Sequence, residues 1–311
     1  MAIKVITYPL EDSSDIFNYA PTLETIRKRN SVINPFDDLK FLYSCLETTG
    51  CEEAYLNIIF NNDEPQDFIV LKNSHGESFR TAIPVEVPHF NTFSITSNNT
   101  AMVVSSILSK FNEIFIPRVL INKQKADTLL NSSQRTLVGV STMHKLQVPD
   151  DFDRWLYRVK PRNQEKFEKL LKTLSRDPLV LSTIDDPLNF QREIEISFAK
   201  SSNIPMLVRS IISAILFQLK LSNFKLYYAT LSAENWEIAG SVSLEYEGRL
   251  YLLFIWDFYR DVKTDARDLL LLLLLKKAHH EGLTEIVILD ESHGSSIPME
   301  DLLLFDIHMK Q

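Results

Sequence analysis

The side chains best suited to moving protons cluster in the second half of the chain. Asp257 closes the apolar run Leu250–Trp256, and Glu245 stands beside the Glu247-Gly248 turn. Tyr259 follows in a polar stretch, and His293 lies in Glu291-Ser292-His293. A carboxylate can take a proton, a phenol can give one, and an imidazole can do either near neutral pH. With Ser292 beside it, His293 also has the parts for nucleophilic chemistry. Each has a plainer reading. Asp257 caps a loop, Glu245 is a solvated hairpin residue, Tyr259 is a half-buried aromatic, and His293 is the histidine of a polar loop. His279 and His280 suit the negative end of a helix without any chemistry. His-Glu-x-x-His, Walker, Rossmann and Gly-x-Ser-x-Gly motifs are absent. No metal site is expected. Cys45 and Cys51 read as passive thiols of a reduced compartment.

These groups must be carried by the elements around residues 250–290. Leu250–Trp256 has strand character, and Asp257–Thr264 is polar and turn-like. Asp265 can cap a helix that starts at Ala266 and stops at Gly282, with Lys276, Lys277, His279 and His280 in its last turns. Glu285–Leu289 is a second strand. Strand, helix, strand is the unit of two parallel strands joined by a crossover. The run Leu269–Leu275 is apolar all round, so this helix must be covered on nearly every side.

The rest of the chain supplies two sets of similar elements. In the first half, helices are predicted at Thr22–Asn30 and Pro35–Thr49, and strands at Ala54–Phe60, Asp67–Leu71 and Phe79–Val87. A helix at Thr100–Phe111, a strand at Glu113–Ile116, a helix at Lys123–Leu130 and a strand at Thr136–Ser141 follow. Met143–Arg154 reads as a boundary, and Arg162–Leu174 as an amphipathic linking helix. The second half runs strand Leu179–Ile184, helices Pro187–Phe198 and Pro205–Lys220, and strands Lys225–Leu231, Glu237–Tyr246 and Leu250–Trp256. After the leucine helix and Glu285–Leu289 come a short helix near Pro298–Leu303 and a final strand, Leu304–Met309. The halves share element order without a residue-level repeat. The domains are therefore set at 1–145 and 146–311.

With 311 residues and 45% hydrophobic content, both halves can hold a core. A net charge of -8 disfavours a general nucleic-acid binder. The N-terminus lacks a signal-peptide pattern, and the leucine run is far shorter than a membrane span. A cytoplasmic protein is expected.

The stretch Trp236–Leu253, with its Ala239-Gly240 and tight Glu247-Gly248 turn, resembles the central hairpin of the GNAT (N-acetyltransferase-like) fold. Leu269–Leu275 followed by Lys-Lys-Ala-His-His-Glu-Gly resembles that fold's central helix and glycine stop. Phe152–Leu174 is similar to the basic linking helix of the tandem CelD-like and Fem-type acyltransferases. Asn34-Pro-Phe-Asp-Asp and the meander after it carry a looser likeness in the first half. The resemblance implies an α/β (α+β) fold of two tandem GNAT-like domains, each a twisted mixed sheet flanked by helices. It also implies that the central strand parts from its parallel neighbour and leaves a gap for an acyl donor. Leu253, Phe254, Ile255 and Trp256 would then present main chain to the donor, and a coenzyme A pyrophosphate would meet the start of the central helix.

In that setting Asp257 is the first candidate base, with Glu245, Tyr259 and His293 behind it. The loop before the helix departs from the family, because Lys263–Asp268 contains no glycine, and Asp265 and Asp268 compete with a phosphate for the helix amides. Arg260, Lys263 and Arg267 supply compensating charge. The implied activity is transfer of an acyl or aminoacyl group from a thioester or ester to an amine held between the halves. The co-substrate would be an acyl-CoA or acyl-carrier-protein thioester, with no tightly bound cofactor. The acceptor would be a small molecule or peptide amine, and a carrier protein or aminoacyl-tRNA is a further partner. The rival from another class is a non-catalytic binding or assembly protein that has kept the fold.

Overall fold

The computed structural model describes residues 3–29, 33–76, 78–92, 97–121, 135–161, 163–176, 179–184, 186–200, 206–233, 236–257, 266–289 and 295–310. The chain divides into two compact units. Unit 1 comprises Met1–Ser141 with Leu303–Gln311, and unit 2 comprises Thr142–Leu302. The sequence put residues 303–311 with the second half, whereas they cluster with the first. No helix among the described residues is long and apolar enough to cross a membrane.

Unit 1 begins with β1 (Ile3–Leu10), a 3-10 turn, α1 (Ala20–Arg29), a second 3-10 turn (Pro35–Asp37) and α2 (Leu39–Thr49). A meander follows: β2 (Ala54–Asn61), β3 (Glu64–His75) and β4 (Ser78–Thr81). Then come the short β5 (Asn91–Thr92), α3 (Ser97–Leu108) and β6 (Glu113–Leu120). No strand was expected at residues 3–10. Pro9 is tolerated there because, among the described residues, β1 lies at the sheet edge and pairs only with β2. The strand predicted over Phe79–Val87 ends early, at Thr81. The predicted helix Lys123–Leu130 lies outside the described residues.

β7 (Arg135–Gln147) starts in unit 1 and ends in unit 2. It absorbs residues 143–147, which the sequence assigned to a boundary. Within unit 2 follow α4 (Phe152–Arg158), α5 (Gln164–Arg176), β8 (Leu179–Ile184), α6 (Pro187–Lys200) and α7 (Met206–Leu221). The second meander is β9 (Lys225–Ala233), β10 (Trp236–Tyr246) and β11 (Arg249–Asp257). α8 (Ala266–His280) then crosses over to β12 (Glu285–Ile288), and β13 (Glu300–Lys310) returns the chain to unit 1. The short helix predicted near Pro298–Leu303 is instead the start of β13. Its leucines favour a helix weakly, and strand pairing overrides that preference.

The order in unit 1 is β1-β2-β3-β4-β6-β13-β7, and in unit 2 it is β7-β12-β11-β10-β9-β8. α8 forms the centre of the unit 2 core. Leu269–Leu272, Leu274 and Leu275 are buried against Leu250, Leu252, Ile255, Ile286 and Ile288 of the sheet and Phe167 and Leu170 of α5. Each such leucine contributes on the order of 1.5–3 kcal/mol through removal from water. Gly282 ends the helix at φ +71, with the Leu283 amide donating to the Ala278 carbonyl at 2.9 Å. This is the left-handed stop expected from the sequence.

Candidate functional site

The site is built on β11. The strand pairs with β10 on one edge and with β12 on the other. The parallel register with β12 runs from Arg249↔Glu285 to Leu252↔Ile288. It closes with the Leu289 amide donating to the Leu252 carbonyl at 3.2 Å. Beyond Leu252, β11 continues to Asp257 paired only with β10. Among the described residues no strand covers that second edge. The register with β10 shifts at the same point: Ser243 faces Leu252 and Val242 faces Phe254, so Leu253 is a bulge. Such an extra residue bends a strand and re-aims the side chains beyond it. Among the described residues the parallel pairing thus ends at Leu252, short of Leu253, Phe254, Ile255 and Trp256.

The strand is held stiffly on the face away from α8. Phe198 of α6 meets Phe254 at 5.4 Å and Trp256 at 6.0 Å between ring centres. Tyr228 of β9 lies 6.1 Å from Trp256 and shares a 2.6 Å hydrogen bond with Ser197. Burial pushes the Tyr228 hydroxyl up to about 12, so it is a fixed neutral phenol. Gly240 is required beside this ring, because a Cβ there would lie 2.7 Å from Trp256 Nε1.

The two predicted acid-base groups among the described residues, Asp257 and Glu245, do not converge. Asp257 stands at the open end of β11, where its Oδ1 accepts from Arg267 Nε at 2.6 Å. Glu245 lies at the other end of the hairpin, opposite Leu250. From Leu250 to Asp257 the strand climbs roughly 20 Å at about 3.3 Å per residue, so Glu245 is remote from the gap. It accepts from Lys225 Nζ and Tyr227 Oη, each at 2.7 Å. Burial raises its pKa, but these hydrogen bonds and nearby lysines outweigh it and leave the carboxyl below its usual value. Tyr259, Arg260, Lys263 and His293 lie outside the described residues.

In the first turn of α8, the Asp268 carboxylate binds residues 295–296. It is fully buried. It accepts from the Ser296 amide at 2.9 Å, from Ser296 Oγ at 2.7 Å and from the Ser295 hydroxyl, with Lys166 Nζ 3.9 Å away. Asp268 therefore ties the start of α8 to residues 295–296. Asp265 lies outside the described residues.

One pair escaped the sequence reading. His144 of β7 sits opposite Ile288, the last residue of β12, and is 7% exposed. Its Nδ1 is 2.8 Å from Asp301 Oδ1 of β13. The alternation of Thr142, His144 and Leu146 was the available signal, hidden by ending the strand at Ser141.

Unit 1 treats the equivalent place differently. β4 pairs in parallel with β6 from Ser78↔Glu113 to Arg80↔Phe115. The chain then turns away after Thr81 and returns as β5, pairing Asn91↔Val119 and Thr92↔Leu120 farther along β6. The segment beside β6 is thus filled by the chain itself. Asn91 Nδ2 donates to the Pro117 carbonyl at 2.7 Å. Thr92 Oγ1 and Asn34 Nδ2 donate to Asp37 at 2.5 and 2.7 Å. Burial pushes the Asp37 carboxyl up to about 6, against these hydrogen bonds and the charge of Arg27.

No family model matches the sequence, and no curated protein matches it. Solved structures do match over nearly the whole chain. A tandem GNAT protein from the clavulanic acid biosynthesis pathway, solved without AcCoA, aligns with a TM-score of 0.56 at 7% identity, covering 99% of this chain and 98% of its own. FemX aligns at 0.55 and 10% identity, over 98% and 97%. L-PGS from Bacillus licheniformis aligns at 0.51 and 9%, over 97% and 93%.

Proposed function

From the tandem GNAT fold that this chain has, we propose that it is an acyltransferase that moves an acyl or aminoacyl group from a thioester or ester to an amine. The observation that carries the reading is the end of the described parallel pairing at Leu252↔Ile288, with a bulge at Leu253, while β11 runs on to Asp257. Main-chain amides and carbonyls along that stretch can hydrogen-bond a thioester carbonyl and an amide-bearing arm, as an added strand would. The donor site belongs to unit 2. In unit 1 the chain occupies the corresponding place through β5, which supports one donor per polypeptide.

A coenzyme A thioester is the first donor to test, because a relative of like fold is described with reference to AcCoA. Arg267, with Arg260 and Lys263 from the preceding loop, supplies positive charge for its phosphates. A loaded acyl carrier protein and an aminoacyl-tRNA are the alternatives, and the acceptor is a small-molecule or peptide amine in the cytoplasm. The Asp257 carboxylate is engaged by Arg267, so its role here is to hold that guanidinium at the end of β11.

The second reading, a non-catalytic assembly protein, is favoured by that same ion pair and by the glycine-free loop before α8. Thermal shift with acetyl-CoA, an acylated carrier protein and an aminoacyl-tRNA separates the two. Donor at about a hundredfold above Kd stabilises by about 2.7 kcal/mol, with a calorimetric stoichiometry of one. Absence of stabilisation by all three donors favours the assembly protein.

A further inference from the structure

His144 and Asp301 are absorbed neither by the core nor by the donor contacts of β11. The parallel pairing of β11 with β12 ends at Leu252↔Ile288, and His144 is the residue directly across β12 from that end. Two neighbouring strand spacings put the His144 Cα about 10 Å from the Leu252 Cα, where the gap opens. The faces agree. Leu146, Ile286, Ile288 and Leu252 all pack into the core beneath α8, and residues directly opposite one another share a face, so His144 lies on that side too. The crossover from β11 starts α8 at this same end of the strands.

The ring is also oriented. Asp301 Oδ1 is 2.8 Å from Nδ1. Among the described residues Nε2 has no hydrogen-bond partner. Among the described residues the neighbouring charges have other partners. Lys145 and Arg249 pair with Glu285 at the far end of β12, and Asp268 of α8 is held by Ser295 and Ser296. A histidine with one nitrogen fixed by a carboxylate and the other left open is the arrangement of a general base with its positioning residue. A purely architectural cross-strand ion pair is the competing account.

We infer that His144, positioned by Asp301, is the proton acceptor for acyl transfer at the β11 edge; this rests on the reading of that edge as the donor site. As the amine nitrogen bonds to the acyl carbon, Nε2 takes the amine proton. The acyl C–S bond breaks, and the leaving thiolate takes its proton from the imidazolium, which returns His144 to the neutral form. With an ester donor, the C–O bond breaks and the leaving alkoxide takes that proton.

The test uses the full chain with acetyl-CoA and its alkylating analogue bromoacetyl-CoA. Peptide mass mapping is expected to find the two-carbon label on His144, with acetyl-CoA protecting. His144→Gln is expected to lower acetyl-CoA-dependent thiol release by about a hundredfold at unchanged donor affinity and to change the pH profile of the rate. Asp301→Asn should shift that profile while leaving donor affinity intact. If acetyl-CoA binds but the label lands elsewhere and His144→Gln keeps the profile, His144 is architectural and the donor reading survives. If acetyl-CoA does not bind, the coenzyme A reading falls and the inference falls with it. Should His144→Gln fail to fold, labelling of the unaltered chain decides alone.

Discussion

A Cβ at residue 240 has nowhere to go. Gly240→Ala would press on the Trp256 ring from 2.7 Å, and that ring is held by Phe198 and Tyr228. A loss of roughly 1–3 kcal/mol is expected, readable as a lower urea midpoint. Asp37 sets a pH signature in unit 1. Its folded-state carboxyl titrates at about 6, above the ordinary 3.8. Folding thus favours the protonated form, so the contribution is full below about pH 4 and is lost as pH rises through 6. Asp37→Asn keeps an oxygen for Thr92 and Asn34 and removes that loss. The variant's Tm should gain on the wild type between pH 4 and 7, and a constant difference across that range would contradict the buried acid. The two thiols should also separate. Cys45 is fully buried and its pKa is pushed up by burial, whereas Cys51 is half-buried. A thiol reagent should label Cys51 in the native protein and reach Cys45 only on unfolding.

At the scale of elements, the parts dictated by local pattern were legible and the parts dictated by pairing were not. α8 was readable because a leucine run with a basic last turn and a glycine stop leaves little else to form. Its depth makes a sharp expectation: Leu271→Ala, at a site 0% exposed, should cost about 2–5 kcal/mol by denaturant unfolding. The bulge at Leu253 was not legible, because no glycine announces it. β1 went unread, and the turn away after Thr81 was hidden by an apolar run that continues to Val87. Glu245 and Asp257 were both candidate acid-base groups, yet the extended hairpin holds them at opposite ends. His144 was lost by stopping a strand too soon.

For the whole molecule, chain order and unit membership disagree at the end. Leu304 to Lys310 pair with β6, so the last strand belongs to unit 1. Arg118, at φ 53, gives its amide to Asp306 of that strand at 2.8 Å. His308 pairs with Glu113. A polypeptide ending at Leu302 should therefore lose amide-exchange protection first in β6 and the core around Ile114, Ile116 and Val119, with α8 protected longer. Equal loss in α8 would count against the division.

This membership also bears on biosynthesis. The unit 1 strands from β1 to β6 cannot complete their sheet until residues 304–310 leave the ribosome, whereas β8 to β12 of unit 2 are made before those residues. A nascent chain stalled before residue 304 would therefore expose an unfinished β6 edge open to aggregation.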